Sequence, residues 1–181
     1  MVFKNAVGHL RTVLRHKRLV ASMCFRVGLY RQGLFHDMSK FSPTEWIPSV
    51  RYYQAGKASP VRGERLARGY SACWLHHKGR NRHHFEYWLD YSPDDPLCLT
   101  GMKMPPKYLA EMALDRIAAC KVYHGEKYRP SDPLDYLRSH TPPGLIHPET
   151  LGKLEEFFCV LAEQGEEGLY QAIRKLLRDG Y

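Results

Sequence analysis

From Lys4 to Arg178 the apolar residues of this chain recur at intervals of three and four, and no stretch alternates apolar with polar residues as a half-buried strand would. That spacing predicts helices. Val7, Leu10 and Leu14 give a stripe to Lys4–Arg15, and Leu19, Val20, Met23, Cys24 and Val27 give one to Arg18–Val27, which Gly28 closes. A third run spans Tyr30–Met38. Ser42-Pro43-Thr44-Glu45 then reads as a helix start, with Ser as cap, Pro in the first position and Glu45 completing a capping box. Trp46, Val50 and Tyr53 form the buried side of that helix. Further helices are expected over Glu64–Lys78, from Pro105 or Pro106 to Tyr123, over 132–139, Pro148–Ala162 and Glu167–Arg178. Gln54–Pro60 and Ser92–Pro106 read as loops by their Gly and Pro content. The fold class expected is all-α.

At 181 residues and 44% apolar, the chain suits one domain with one core. No apolar run approaches the roughly 18 residues of a membrane span. The first 36 residues carry seven Lys/Arg and no acid, yet they lack a signal-peptide apolar region and read as mature protein. Five widely spaced cysteines without a C-x-x-C pair indicate neither a disulfide framework nor a zinc ribbon, and the expected compartment is the reducing cytoplasm. Charge is unevenly spread. Residues 1–84 hold sixteen Lys/Arg against three acids, a net +13, whereas 85–181 hold eleven against sixteen, a net −5. An anionic partner is expected on the basic half. That partner could be a nucleotide, nucleic acid or a lipid surface, although no nucleic-acid-binding module is recognisable there.

The chemistry concentrates in two stretches of that basic half. His36-Asp37-Met38-Ser39-Lys40 places an imidazole, a carboxylate and an ammonium within five residues, and imidazole with carboxylate suits Zn, Fe or Mn. His76-His77-Lys78-Gly79-Arg80-Asn81-Arg82-His83-His84-Phe85-Glu86 holds four of the ten histidines within nine residues. A third element lies later. Glu111 and Asp115 are one turn apart on a helix rich in Ala and Met, where a buried carboxylate needs a partner: a metal, or a basic side chain.

The ordered set His9, His36-Asp37, His77, His83-His84, Asp115 resembles the HD-domain superfamily of metal-dependent phosphohydrolases. The run from His9-Leu10-Arg11-Thr12-Val13 through Leu34-Phe35-His36-Asp37-Met38-Ser39-Lys40 to Pro43 is similar to that of the HD-GYP branch. The blocks His77-x-x-x-Asn81-x-His83-His84-x-Glu86 and Glu111-Met112-x-x-Asp115 resemble those of a small HD-like family. His77 rather than His76 matches that block. No Gly-Tyr-Pro follows the paired histidines, so cyclic-dinucleotide specificity is not implied.

The resemblance implies an HD-like helical bundle with its metal-site core over about residues 5–123 and a helical extension over about 131–181. It implies one ion held by His9, His36, Asp37 and Asp115, with Asp37 bridging to a second held by His77 and His83 or His84. Lys40 would meet a substrate phosphate, with Arg80 and Arg82 adding to its field. Asn81, Glu86 and Glu111 would orient imidazoles. The function expected is hydrolysis of a nucleotide or other phosphoester by a metal-activated water. The alternatives are an HD-type di-iron oxygenase and a non-catalytic metal-stabilised binding module.

Overall fold

A computed structural model describes residues 2–54 and 58–181. Within them the fold is all-α, with one small hairpin. Its helices are α1 (Val2–Arg26), α2 (Tyr30–Phe35), α3 (Pro43–Arg51), α4 (Pro60–Arg68), α5 (Ala72–Arg80), α6 (Pro106–His124), α7 (Asp132–His140) and α8 (Pro148–Asp179). Gly165 (φ 73°, ψ −168°) breaks α8 into two segments close to the two helices the apolar spacing predicts. The expected Gln54–Pro60 loop falls partly on residues 55–57, outside the described ones.

α6 is the central element. Leu109, Ala110, Met112, Ala113, Leu114, Ile117 and Ala118 are buried, so nearly its whole circumference is packed. Val20, Met23 and Cys24 of α1 join it in one cluster with Leu154, Phe157, Phe158, Leu169 and Ile173 of α8. Each such side chain contributes roughly 1.5–3 kcal/mol through burial. The core thus fixes α1 beside α6, and with it the axial position of every polar group that the two helices carry.

Four local expectations are corrected. Arg15 to Arg18 does not interrupt a helix: α1 runs unbroken for 25 residues, because the polar run contains no breaker and turns His16 and Lys17 toward a buried polar centre. The third helix stops at Phe35, since His36 is extended (ψ 128°) and Asp37 is left-handed (φ 54°, ψ 28°). The helix expected over Glu64–Lys78 is two, α4 and α5, separated at Gly69 (φ 80°), with the Ser71 hydroxyl capping α5 by accepting from Trp74 N–H. Leu99–Gly101 (β2), inside the expected Ser92–Pro106 loop, pairs antiparallel with Leu89–Tyr91 (β1) just before it, Leu89 opposite Gly101. Three residues per strand are too few for an alternating pattern to register in sequence.

α2 is held against α1 by Gly33. A β-carbon there would lie 3.0 Å from Cys24 Cβ and 3.1 Å from Ala21 Cα, so a larger residue would push the helix away. That close approach delivers His36 to the middle of α1.

Candidate metal centre

His36 and Asp37 are 1% and 2% exposed, and around them converge α1, α5, α6 and the turn that follows α5. The two Asp37 oxygens face two different groups. Oδ2 lies 3.4 Å from His36 Nε2 and 3.9 Å from His16 Nε2, while Asp115 Oδ1 is 2.9 Å from His16 Nε2 and 3.4 Å from His36 Nε2. Oδ1 lies 3.3 Å from both His77 Nε2 and His83 Nε2. His84 completes that second group, its ring centroid 4.3 Å from that of His83 and 4.8 Å from that of His77.

The outward nitrogens of three of these rings are held by carboxylates. His36 and His83 donate from Nδ1 to Glu111 Oε1, at 2.9 and 3.2 Å, and His77 donates from Nδ1 to Glu45 Oε2 at 2.7 Å. A neutral imidazole that donates from Nδ1 leaves its Nε2 lone pair facing the centre, the tautomer a metal requires. Asn81 caps α5 and donates to the His77 carbonyl and to Ser39 Oγ, both at 2.8 Å, tying the end of α5 to the turn after Asp37.

Burial alone would raise the carboxyl of Asp37, yet His36, Lys40 and His77 hold it well below the ordinary range. Asp115 and Glu111 are likewise held low against burial, by His16 and His36 and by His36 and His83 respectively. For His83, burial disfavours the cation, but Asp37 and Glu111 push its value up to about 10. His84 is driven well below the usual imidazole range by burial and by His83 and His77. The centre therefore holds ionised carboxylates in a dry environment against Lys40 and protonated imidazoles; a bound metal ion would take the place of the ring protons and leave the imidazoles neutral.

The unsatisfied atoms point the same way. Asp37 Oδ1, His83 Nε2 and His84 Nε2 are buried without a hydrogen-bond partner among the described residues, although the first two are within 3.3 Å of each other. His16, His36, Asp37 and Asp115 bring one donor atom each within 4.8 Å of one another, as do Asp37, His77, His83 and His84. Either set could hold a metal ion, and Asp37 belongs to both.

One protein-family model matches residues 5–159, a span that includes every one of these donors. The chain belongs to DUF5662, a family of unknown function. No curated protein and no solved structure matches it.

In this DUF5662 member His36, Asp37, His77, His83, His84 and Asp115 are brought together, and Glu111 bonds two of the imidazoles. His9 is not brought there. It lies seven residues before His16 on α1, about 10.5 Å along the axis, and packs against the rings of Trp46 and Tyr53 at 5.1 and 5.9 Å. Its value is lowered to about 4 by burial and by Lys40. His16 occupies the expected place instead.

The basic residues divide. Lys40 Nζ is 2.6 Å from Asp37 Oδ2 and 30% of its side chain is exposed, so it stands between the centre and solvent. Arg80 is turned aside, donating from Nε to His76 Nε2 at 2.8 Å. Arg82 is spread over the Tyr87 and Tyr108 rings, its guanidinium 5.5 and 5.9 Å from their centroids. Among the described residues Glu86 bonds no imidazole, and its Oε2 is buried without a hydrogen-bond partner.

Three residues here were not anticipated in these roles. Glu45 completes no capping box, since the Ser42 side chain makes no cap bond; its carboxylate takes His76 Nδ1 and His77 Nδ1, each at 2.7 Å. Lys17 donates from Nζ to the His36 carbonyl oxygen. His16 lies on the same side of α1 as His9, seven residues on, and the resemblance assigns the place to His9.

Proposed function

We propose that this chain is a metal-dependent phosphohydrolase acting on a nucleotide or another phosphoester. The observation that carries the reading is the division of Asp37, with Oδ2 in the His16, His36 and Asp115 group and Oδ1 beside His77 and His83. A carboxylate whose two oxygens serve adjoining donor sets suits a bridge between two divalent ions, and imidazole with carboxylate suits Fe, Mn or Zn. Such a pair of ions, when bound, supplies an acidified water and polarises a phosphoryl oxygen.

The chain's own groups do the rest. Glu111 and Glu45 fix the rings of His36, His83 and His77, so little rearrangement accompanies ion binding. Lys40, at the partly exposed edge of the centre, offers a point charge to a phosphate approaching from solvent. The order His16, His36-Asp37, His77, His83-His84, Asp115 keeps the HD-type pattern with His16 in the first position, which supports a hydrolase of that superfamily.

The test combines elemental analysis with release of inorganic phosphate from p-nitrophenyl phosphate and a set of nucleotides. We expect two divalent ions per chain and metal-dependent release, both lost in Asp37→Ala. Bound iron with oxygen consumption and no phosphate release would replace hydrolysis with the di-iron oxygenase reading. Metal with neither activity would leave a metal-stabilised binding module.

A further inference from the structure

We infer that the outer face of α2, with the end of α1 beside it, docks on an anionic lipid surface. Five large apolar side chains reach solvent there. Tyr30, Leu34 and Phe35 are 62%, 60% and 65% exposed, and Phe25 and Met38 are exposed beside them. The five adjoin one another. Tyr30 and Leu34 are one turn apart on α2, the Phe25 and Tyr30 ring centroids are 5.5 Å apart, and Met38 follows Phe35 by three residues. A surface that meets only water rarely gathers so many apolar side chains in one place.

The packing of α2 makes this face project. Gly33 rests on α1, where a β-carbon would lie 3.0 Å from Cys24 Cβ, so Arg31, Leu34 and Phe35, on the other side of the same turn, face outward. A ridge of that kind has no hollow for a compact ligand. Its tips suit the boundary between lipid headgroups and acyl chains, which admits apolar side chains to a shallow depth. The contact is peripheral, because the six residues of α2 fall far short of the roughly 20 that a span requires.

Charge identifies the partner. Residues 1–84 carry three acids, Asp37, Glu45 and Glu64, and all three are buried at 1–2% exposure, so the exposed formal charge of that half is cationic throughout the described residues. Three of those cations border the apolar face. Arg11, Arg18 and Phe25 recur at intervals of seven and share one stripe of α1, while Arg31 stands on α2 beside Leu34 and Phe35. Glu167 of α8 meets Arg26 at 3.7 Å, but Arg11, Arg18 and Arg31 form no ion pair among the described residues. Guanidinium groups intermingled with apolar tips match an anionic headgroup layer with hydrocarbon beneath it. A second copy fits less well, because a two-fold pair through this face would set the same cations opposite one another.

The inference requires neither a metal ion nor the hydrolase reading, since the residues it uses lie outside both donor sets. Flotation of the purified full chain with vesicles of phosphatidylcholine alone, and of phosphatidylcholine and phosphatidylglycerol in equal parts, tests it. We expect the chain to float with the mixed vesicles and not with the neutral ones, and added salt should release it. Replacing both exposed residues, Leu34→Ser with Phe35→Ser, should weaken vesicle binding by at least about tenfold; Tyr30→Ser serves instead should that pair fold poorly. Arg18→Ala and Arg31→Ala should each weaken it by about fivefold. Absence of flotation with the mixed vesicles overturns the inference. So does equal flotation with both compositions, or flotation that none of these substitutions changes. A concentration-dependent dimer in light scattering, disrupted by Phe35→Ser and accompanied by no vesicle binding, would give the face to a second copy of the chain and overturn it as well.

Discussion

His77 donates from Nδ1 to Glu45 Oε2 across 2.7 Å, and both residues are almost wholly buried. The carboxylate fixes the ring so that Nε2 faces Asp37. In Glu45→Gln an amide replaces the anion that holds this tautomer. Metal affinity should fall by about 10–100-fold, as for other residues that orient a ligating imidazole. Metal titration followed by calorimetry checks this, and unchanged affinity would show that His77 needs no such support.

His16 and His9 separate cleanly by substitution. His16→Ala removes a donor 2.9 Å from Asp115 Oδ1 and should lower the metal content of the purified protein. His9→Ala removes a ring packed on Trp46 and Tyr53 and should leave metal content unchanged while lowering the thermal midpoint. Elemental analysis of both variants decides; the reverse result would return His9 to the centre.

Lys40→Ala addresses substrate rather than metal. The ammonium is 2.6 Å from Asp37 Oδ2 and partly exposed, so its loss should raise KM for an anionic phosphoester by about tenfold, the worth of one charge-assisted hydrogen bond. Metal content should persist. Steady-state kinetics on p-nitrophenyl phosphate with an unchanged KM would take Lys40 out of substrate binding.

A stability prediction concerns Asp132, remote from the centre. Its carboxylate accepts from Arg129 N–H at 2.8 Å, Arg129 Nε at 3.3 Å and His124 Nδ1 at 2.6 Å. Burial would raise its value, but these donors hold it below the ordinary 3.8. Because the folded value is the lower one, the stabilisation is present above the unfolded value and is lost as pH falls through the folded one. Asp132→Asn should therefore cost ~1–3 kcal/mol at neutral pH, with the difference from wild type shrinking below about pH 4. Urea unfolding at pH 3, 5 and 7 measures it, and a gap that does not change with pH would assign the effect to shape rather than charge.

The helical class was legible because it depends on local spacing, whereas the donor set came from an ordered pattern that resembles the HD superfamily, with local spacing only grouping its members. Glu111 and Asp115 are one turn apart on α6, and His77, His83 and His84 fall within one short block. The choice between His9 and His16 was not legible. Seven residues make nearly two whole turns, so both face the same side of α1, and only the axial offset between α1 and α2 decides which meets His36. That offset is set by Gly33 resting on Ala21 and Cys24, a tertiary quantity. Glu45 was hidden for a related reason: at the start of α3 a capping role and a long-range bond to α5 look alike in sequence, and burial beside two imidazoles chose the second. The hairpin of β1 and β2 was too short to leave a period.

Asp37 is the one described non-glycine residue with a left-handed backbone, at φ 54°. Aspartate tolerates that region better than most residues, but glycine adopts it without steric cost. The backbone and the side chain at this position thus favour different amino acids. Glycine at 37 would relieve that backbone cost but leave His36, Lys40 and His77 facing no carboxylate, a loss that outweighs the relief, so the turn keeps its less comfortable residue for the charges it balances.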